Sequence, residues 1–433
     1  MSDSPSHKIG WKTATSIVVS SMIGTGVFTT LGFQLMDITN TYSIILLWII
    51  GGMLALFGAF CYAELGTYFK GNGGDYIYLS KTYHPMLGYL VSWVSLIIGF
   101  SSPVALAALA MSKYLSVFNY DFGNTFAILI IVLVSLSLSF SLKASSRFHN
   151  SFTLIKIIFI VILVIAGVGL SEPGIGNSLS FDTTWKKEIT MPAFATSLIF
   201  VTYSYTGWNS ASYIAGEIRD VKYNLPKALI IGTIFVTVAY VLINYVMLKH
   251  APLDQLVGKE DVMAEAAKNM LGSSSGKLIN IFIALQLIAT ISGYLWVGSR
   301  LTQAFAKENY LWRSLSVNNK RNIPVRAIFA HTVIAIVIIL SGTFKEIFVY
   351  TAFLLQLFAS LSISTVFFLK KNQRRIFKSN IFYIFPTIFL LFSAYIIYFT
   401  FINNPKESLI GMGIVLFGVI LYGIDIKLSK REL

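Results

Sequence analysis

The sequence predicts an all-α polytopic membrane protein of about 12 transmembrane helices. Two observations carry that prediction. Of its 433 residues 55% are hydrophobic and only 12% charged, and mean hydropathy is +0.72; soluble domains carry roughly 25% charged residues. The apolar residues also fall into roughly 12 runs of about 20 residues, each long enough for a ~30 Å hydrocarbon core. The runs cover approximately 12–34, 43–66, 86–112, 124–142, 149–170, 190–214, 228–247, 277–306, 326–342, 346–369, 380–402 and 407–427.

Charge distribution sets the topology. The net charge of +14 invites a nucleic-acid interpretation, but the basic residues are sorted by side. About 23 Lys and Arg lie on the N-terminal side of the spans and about 9 on the other, with one inside a span. This bias predicts cytoplasmic N- and C-termini in a cell membrane and leaves no need for a nucleic-acid partner. Ser2 to Gly10 is polar and the first apolar run continues without an A-x-A site, so no cleaved leader is expected. Cys61, the only cysteine, lies in the second span, which excludes an intramolecular disulfide.

The first span carries the pattern Ile23-Gly24-Thr25-Gly26-Val27-Phe28 near its middle. Glycines flanking a threonine weaken the helix there, and broken backbone at that depth is tolerated only against protein or a water-filled cavity. Freed N–H groups at the start of a second half-helix suit a carboxylate; small residues for close helix packing are the alternative. The second span ends in Tyr62-Ala63-Glu64-Leu65-Gly66, followed by Gly71-Asn72-Gly73-Gly74-Asp75-Tyr76-Ile77-Tyr78-Leu79 and His84-Pro85. Glycine-rich and polar, this stretch is expected to be a structural loop. In the third span, Gly99, Ser101, Ser102 and Pro103 fit a distorted helix facing a pathway, and fit simple packing as well.

The fifth span contains Lys156 between bulky apolar neighbours. A lysine there costs at least ~2.5 kcal/mol, so it is expected to face a polar cavity and a partner; snorkelling to the interface is the alternative. The sixth span breaks as the first does, through Thr202-Tyr203-Ser204-Tyr205-Thr206-Gly207-Trp208-Asn209-Ser210. Interrupted spans five apart are the sign of inverted repeats with a site between the two breaks. Since five is odd, the halves have opposite orientation. The division expected is one transmembrane domain: a first repeat over 12–170, a second over 190–369, and peripheral spans over 380–427. The Gly-, Ser- and Thr-rich stretch 171–189 is expected to be an exposed outer loop, and Lys370 to Arg375 an inner one. In the eighth span Thr290, Ser292 and Gly293 line a cation site or merely pack.

Catalytic chemistry has no residues to rest on. The five histidines are scattered without metal-ligand spacing, no phosphate-loop motif is present, and no Ser/His/Asp or carboxylate set stands out. No enzyme, cofactor or metal is expected.

Several of these motifs resemble the amino acid–polyamine–organocation superfamily. Ile-Gly-Thr-Gly-Val-Phe at 23–28 resembles its first-helix signature, as do Tyr-Ala-Glu-Leu-Gly at 62–66 and Gly-Gly-Asp-Tyr-Ile-Tyr-Leu at 73–79. Gly207-Trp208-Asn209, Gly216-Glu217-Ile218, Asn224-Leu225-Pro226-Lys227-Ala228 and Ser299-Arg300-Leu301 are most similar to the L-type amino acid transporter branch. The resemblance implies a LeuT-type 5+5 inverted repeat with discontinuous helices 1 and 6. It further implies a substrate carboxylate on the N–H groups of Gly24, Thr25 and Gly26. The α-ammonium would be held by carbonyls around Met22 and Ile23 and around Tyr203 and Ser204. Tyr203 would act as an aromatic gate, with Gly99, Thr206 and Asn209 at pocket positions, and the Lys156 ammonium would stand where a sodium ion binds in other members.

That implies sodium-independent secondary transport of neutral L-amino acids, by exchange or with protons. Where the branch has glycine this chain has Thr206, which predicts a tighter or more polar pocket. Cationic amino acids or polyamines are the alternative substrates, disfavoured because neither break carries an acid or base. A non-transporting amino acid receptor is the alternative class. Eukaryotic branch members pair with a heavy chain through an external cysteine; with Cys61 alone, no disulfide-linked heavy chain is expected.

Overall fold

A computed structural model describes residues 8–69, 71–116, 123–140, 142–170, 182–369, 376 and 379–430, with the side chains of 142–153, 275 and 381 excepted. Much of the stretch 171–189, all of Lys370 to Arg375, and the segment before Lys8 lie outside it. Among the described residues the chain is helical, and its one extended pairing is an isolated parallel bridge between Ile9 and Ile218.

Eight helices are long and apolar enough to cross a membrane, from Thr41–Tyr68 to Pro405–Ser429. Shorter apolar helices at Leu154–Gly169, Pro192–Ser204 and Val325–Ser341 supply the fifth, sixth and ninth apolar runs. The first run is covered by Trp11–Met22, Gly26–Thr29 and Leu31–Gln34. The architecture is that of an all-α polytopic membrane protein.

Helix ends follow the local sequence. Asn40 caps the second span by accepting from the Tyr42 N–H at 2.9 Å, and Thr343 with Glu346 forms a reciprocal capping box at the start of the tenth. In the third span the helix widens to a π-helical turn over Ser95–Phe100 before regular helix resumes at Ser101. Pro103 has no N–H for the carbonyl four residues earlier, so the ladder must adjust there. The stretch after the second span is not simply a loop: past Gly74 it forms a helix, Asp75–Thr82, which continues into the third span from Pro85. The helix begins directly after the glycine cluster, with an acidic residue, Asp75, in its first turn.

The core gathers where the second, sixth and seventh spans meet. The Tyr205 hydroxyl donates to the Trp48 carbonyl at 2.9 Å, Trp48 Nε1 donates to Gln34 Oε1 at 3.1 Å, and Tyr240 lies edge-on to Trp48 at 5.6 Å. A second link joins spans three, eight and nine through buried His331. Its Nδ1 lies 2.8 Å from Ser101 Oγ and its Nε2 2.9 Å from Thr302 Oγ1. Ser101 Oγ also lies 2.8 Å from the Leu96 carbonyl, so each ring nitrogen has a hydroxyl partner from a neighbouring span. His331 is therefore a structural clip.

Candidate functional site

The first-span helix stops at Met22, with Ile23 extended (φ −75°, ψ 92°), and resumes at Gly26. Ile23 N–H makes the last bond of the first half, to Val19 O at 3.0 Å. Of the backbone bonds outside regular helix, none is donated by Gly24, Thr25 or Gly26, as the start of a half-helix requires. In the sixth span helix ends at Ser204, Thr206 N–H turns back onto Tyr203 O at 2.8 Å, Gly207 adopts φ +106°, and a 3-10 segment runs over Ser210–Glu217.

The two breaks lie against each other. A Cβ on Gly26 would sit 2.4 Å from Ser204 Oγ, and one on Gly207 would sit 2.7 Å from the Ser21 carbonyl carbon. Close packing therefore accounts for two of the glycines and not for the third. Gly26 and Gly207 are required by close approach, whereas at Gly24 the nearest atom to an added Cβ is the Met22 carbonyl oxygen at 4.0 Å.

Between the breaks lies a cavity of about 10 Å³, lined in part by Met22, Gly24, Thr25, Gly26, Tyr203, Ser204 and Thr206. That is room for about one water. Tyr203 and Thr206 also border a second cavity of about 610 Å³. This one takes in Ile23, Gly99, Lys156 and Asn209 and extends to Ile9, Asn72, Glu217 and Arg300. The candidate residues thus divide: Gly99 and Asn209 face the larger cavity and not the small one between the breaks. On the opposite side the path is filled by aromatic rings. Phe33 stacks on Phe200 at 5.7 Å and on Phe344 at 6.0 Å, and Phe348 packs on Phe200 at 5.2 Å and on Tyr203 at 4.2 Å.

Lys156 turns inward and is only 7% exposed, so it does not snorkel. Its ammonium donates to the Ile23 carbonyl at 3.2 Å and to Thr290 Oγ1 at 2.7 Å, joining the fifth and eighth spans to the first-span break. Thr290 in turn donates to Gln286 O at 3.2 Å. The Met22 carbonyl carries the Tyr240 hydroxyl at 2.6 Å. Three of the carbonyls expected to hold an ammonium thus already accept a protein donor: Met22 from Tyr240, Ile23 from Lys156 and Tyr203 from the Thr206 N–H. Neither Tyr240 nor Tyr294, which lines the small cavity, stands out in the sequence. Their signal was a tyrosine in the middle of an apolar span. Cys61 is buried and free.

The amino acid permease family profile matches residues 9–424, nearly the whole chain. The chain belongs to the amino acid permease family, within the amino acid–polyamine–organocation superfamily. It is similar to the mouse b(0,+)-type amino acid transporter 1, 29% identical over 430 residues, covering 96% of this chain and 87% of that protein. The human protein of that name is 28% identical, with the same coverage of both chains. The rabbit large neutral amino acids transporter small subunit 2 is 27% identical over 434 residues, covering 97% of this chain and 80% of its own. These relatives belong to the branch that the sixth- and eighth-span motifs resemble.

Proposed function

We propose that this permease carries neutral L-amino acids across a cell membrane by alternating access, without sodium, as an exchanger or with protons. The observation that carries this is the juxtaposition of the two helix breaks around one cavity, where the N–H groups of Gly24, Thr25 and Gly26 donate none of the backbone-to-backbone bonds outside regular helix and that of Gly24 meets the Tyr240 hydroxyl. Donors at a half-helix start suit the substrate carboxylate, and the carbonyls that end the first halves suit its ammonium. Tyr203 and Thr206, which border both cavities, lie on the path between the two and form the gate.

The Lys156 ammonium supports sodium independence. It bridges the Ile23 carbonyl and the Thr290 hydroxyl, supplying a fixed positive charge where a coupling cation would otherwise be needed. The repeats 12–170 and 190–369 are the two halves that rearrange, with 380–427 peripheral. On this reading both termini are cytoplasmic, the larger cavity opens inward and the Phe33, Phe200, Phe344 and Phe348 rings seal the outer side, which is an inward-facing arrangement.

The cavity walls support a neutral substrate. No acid or base borders the small cavity. Of the carboxylates in the larger one, Asp75 is held by two tyrosine hydroxyls and Glu217 is bound by Asn72 at 3.2 Å. Counterflow into proteoliposomes separates transport from sensing. Labelled neutral amino acid should accumulate in vesicles loaded with unlabelled amino acid, with choline in place of sodium. Saturable binding without counterflow would instead indicate a receptor.

A further inference from the structure

Asp75 sits in the wall of the larger cavity, on the first turn of the helix Asp75–Thr82. Its Oδ1 accepts from the Tyr62 hydroxyl of the second span, and its Oδ2 from the Tyr213 hydroxyl of the sixth-span 3-10 segment at 2.5 Å. Among the described residues no lysine or arginine forms an ion pair with it. The Tyr213 oxygen also lies 3.3 Å from Asn209 Nδ2. These contacts form a chain: Asn209 to Tyr213 to Asp75.

The direction of that chain is fixed by hydrogen-bond valence. A carboxylate can only accept, and a phenol has one proton. Tyr213 therefore commits its proton to Asp75 and can only accept from Asn209. The Asn209 amide must turn its NH₂ toward Tyr213, and its Oδ1, which takes no protein donor and is not among the buried unpartnered atoms, is left for the cavity that Asn209 lines. The phenol itself is held firmly. The Gly73 N–H donates to the Tyr213 carbonyl at 3.1 Å, the Gly216 N–H donates to Asn72 Oδ1 at 2.9 Å, and the Tyr213 ring lies over Gly74.

We infer that Asp75 is a positioning residue for substrate binding: through Tyr213 it fixes the Asn209 amide with its carbonyl toward the cavity, as an acceptor for a substrate N–H such as an α-ammonium. This rests on the amino acid path proposed above. Replacing Asp75 with asparagine supplies an NH₂ that can donate to the Tyr213 oxygen, freeing the phenol proton to point at Asn209 and reverse the amide. The cavity then meets an NH₂, which repels an ammonium.

The test is exchange kinetics in proteoliposomes with labelled L-leucine for wild type, Asp75→Asn, Tyr213→Phe, Asn209→Ala and the double variant Asp75→Asn/Asn209→Ala. Each single substitution should raise KM about tenfold, the loss of one hydrogen bond to a charged group, while leaving the maximal rate near wild type. The double variant should be no worse than Asn209→Ala alone, because Asp75 acts through Asn209. A wild-type KM in Asp75→Asn and Tyr213→Phe, or losses that multiply in the double variant, would overturn the inference. Tyr213→Phe keeps the ring over Gly74 and decides the matter by itself should Asp75→Asn fail to fold. If wild type exchanges nothing, it is the transport function that fails, and that outcome is distinct from an unchanged KM in the variants.

Discussion

Ser204 occupies the space that a side chain on Gly26 would need: an added Cβ would lie 2.4 Å from its hydroxyl oxygen and 2.7 Å from its Cα. The first- and sixth-span breaks are therefore interlocked, and each can bend only where the other allows it. Two glycines separated by a single threonine consequently have different jobs. Gly26→Ala should lower thermal stability markedly, since the clash involves backbone and overpacking costs roughly 1–3 kcal/mol. Gly24→Ala has open space and should leave the melting temperature near wild type while reducing transport. Thermal unfolding in detergent beside uptake in vesicles checks both; equal destabilisation by the two substitutions would contradict the interlock.

Lys156 is expected to support turnover more than substrate binding. Lys156→Ala leaves the Ile23 carbonyl and Thr290 without their shared donor, and each lost bond to a charged group is worth about 1.5–3 kcal/mol. Exchange should fall at least tenfold, while substrate-induced thermal stabilisation of the purified variant persists. Unchanged exchange would remove Lys156 from the mechanism.

Thr206 borders both cavities and narrows the route between them. Thr206→Gly should shift preference toward larger neutral side chains by about tenfold in relative uptake, the range set by one or two methyl-sized groups in an apolar pocket. Competition between labelled alanine and phenylalanine measures it.

Glu260, in the connection between spans seven and eight, gives a pH dependence of stability. Burial lifts its carboxyl to about 7, against the downward pull of Lys113 and with a small upward push from Asp261. An exposed glutamate titrates near 4.3. The folded protein thus holds this proton more tightly than the unfolded chain. The protonated carboxyl is accommodated at low pH, and stability is lost as pH rises from the ordinary value toward 7. Glu260→Gln should therefore stabilise the protein at pH 8 by about 1 kcal/mol, after allowance for partial exposure, and change little at pH 4. Melting curves at the two pH values check it.

The breaks were legible because Gly24, Thr25, Gly26 and Gly207 interrupt otherwise apolar runs, and that interruption is a local property. Lys156 was legible because one charge among bulky apolar neighbours has few places to go. Its partners were not: Ile23 and Thr290 lie 133 and 134 residues away in sequence, and no local pattern pairs them. Tyr240 was hidden for the same reason, its acceptor being a backbone carbonyl that side-chain patterns do not reveal. The helix Asp75–Thr82 was masked by the glycines before it. The roles of Asp75 and His331 depend on hydroxyls contributed by other spans, so composition gave no hint of either.

The most direct measurement is counterflow in proteoliposomes loaded with unlabelled neutral amino acids, in sodium-free buffer, with and without an inward proton gradient. The account predicts accumulation of labelled neutral amino acid without sodium, either only in loaded vesicles or in empty ones when the proton gradient is applied. Absence of uptake under every condition, from protein shown to be folded, would contradict it.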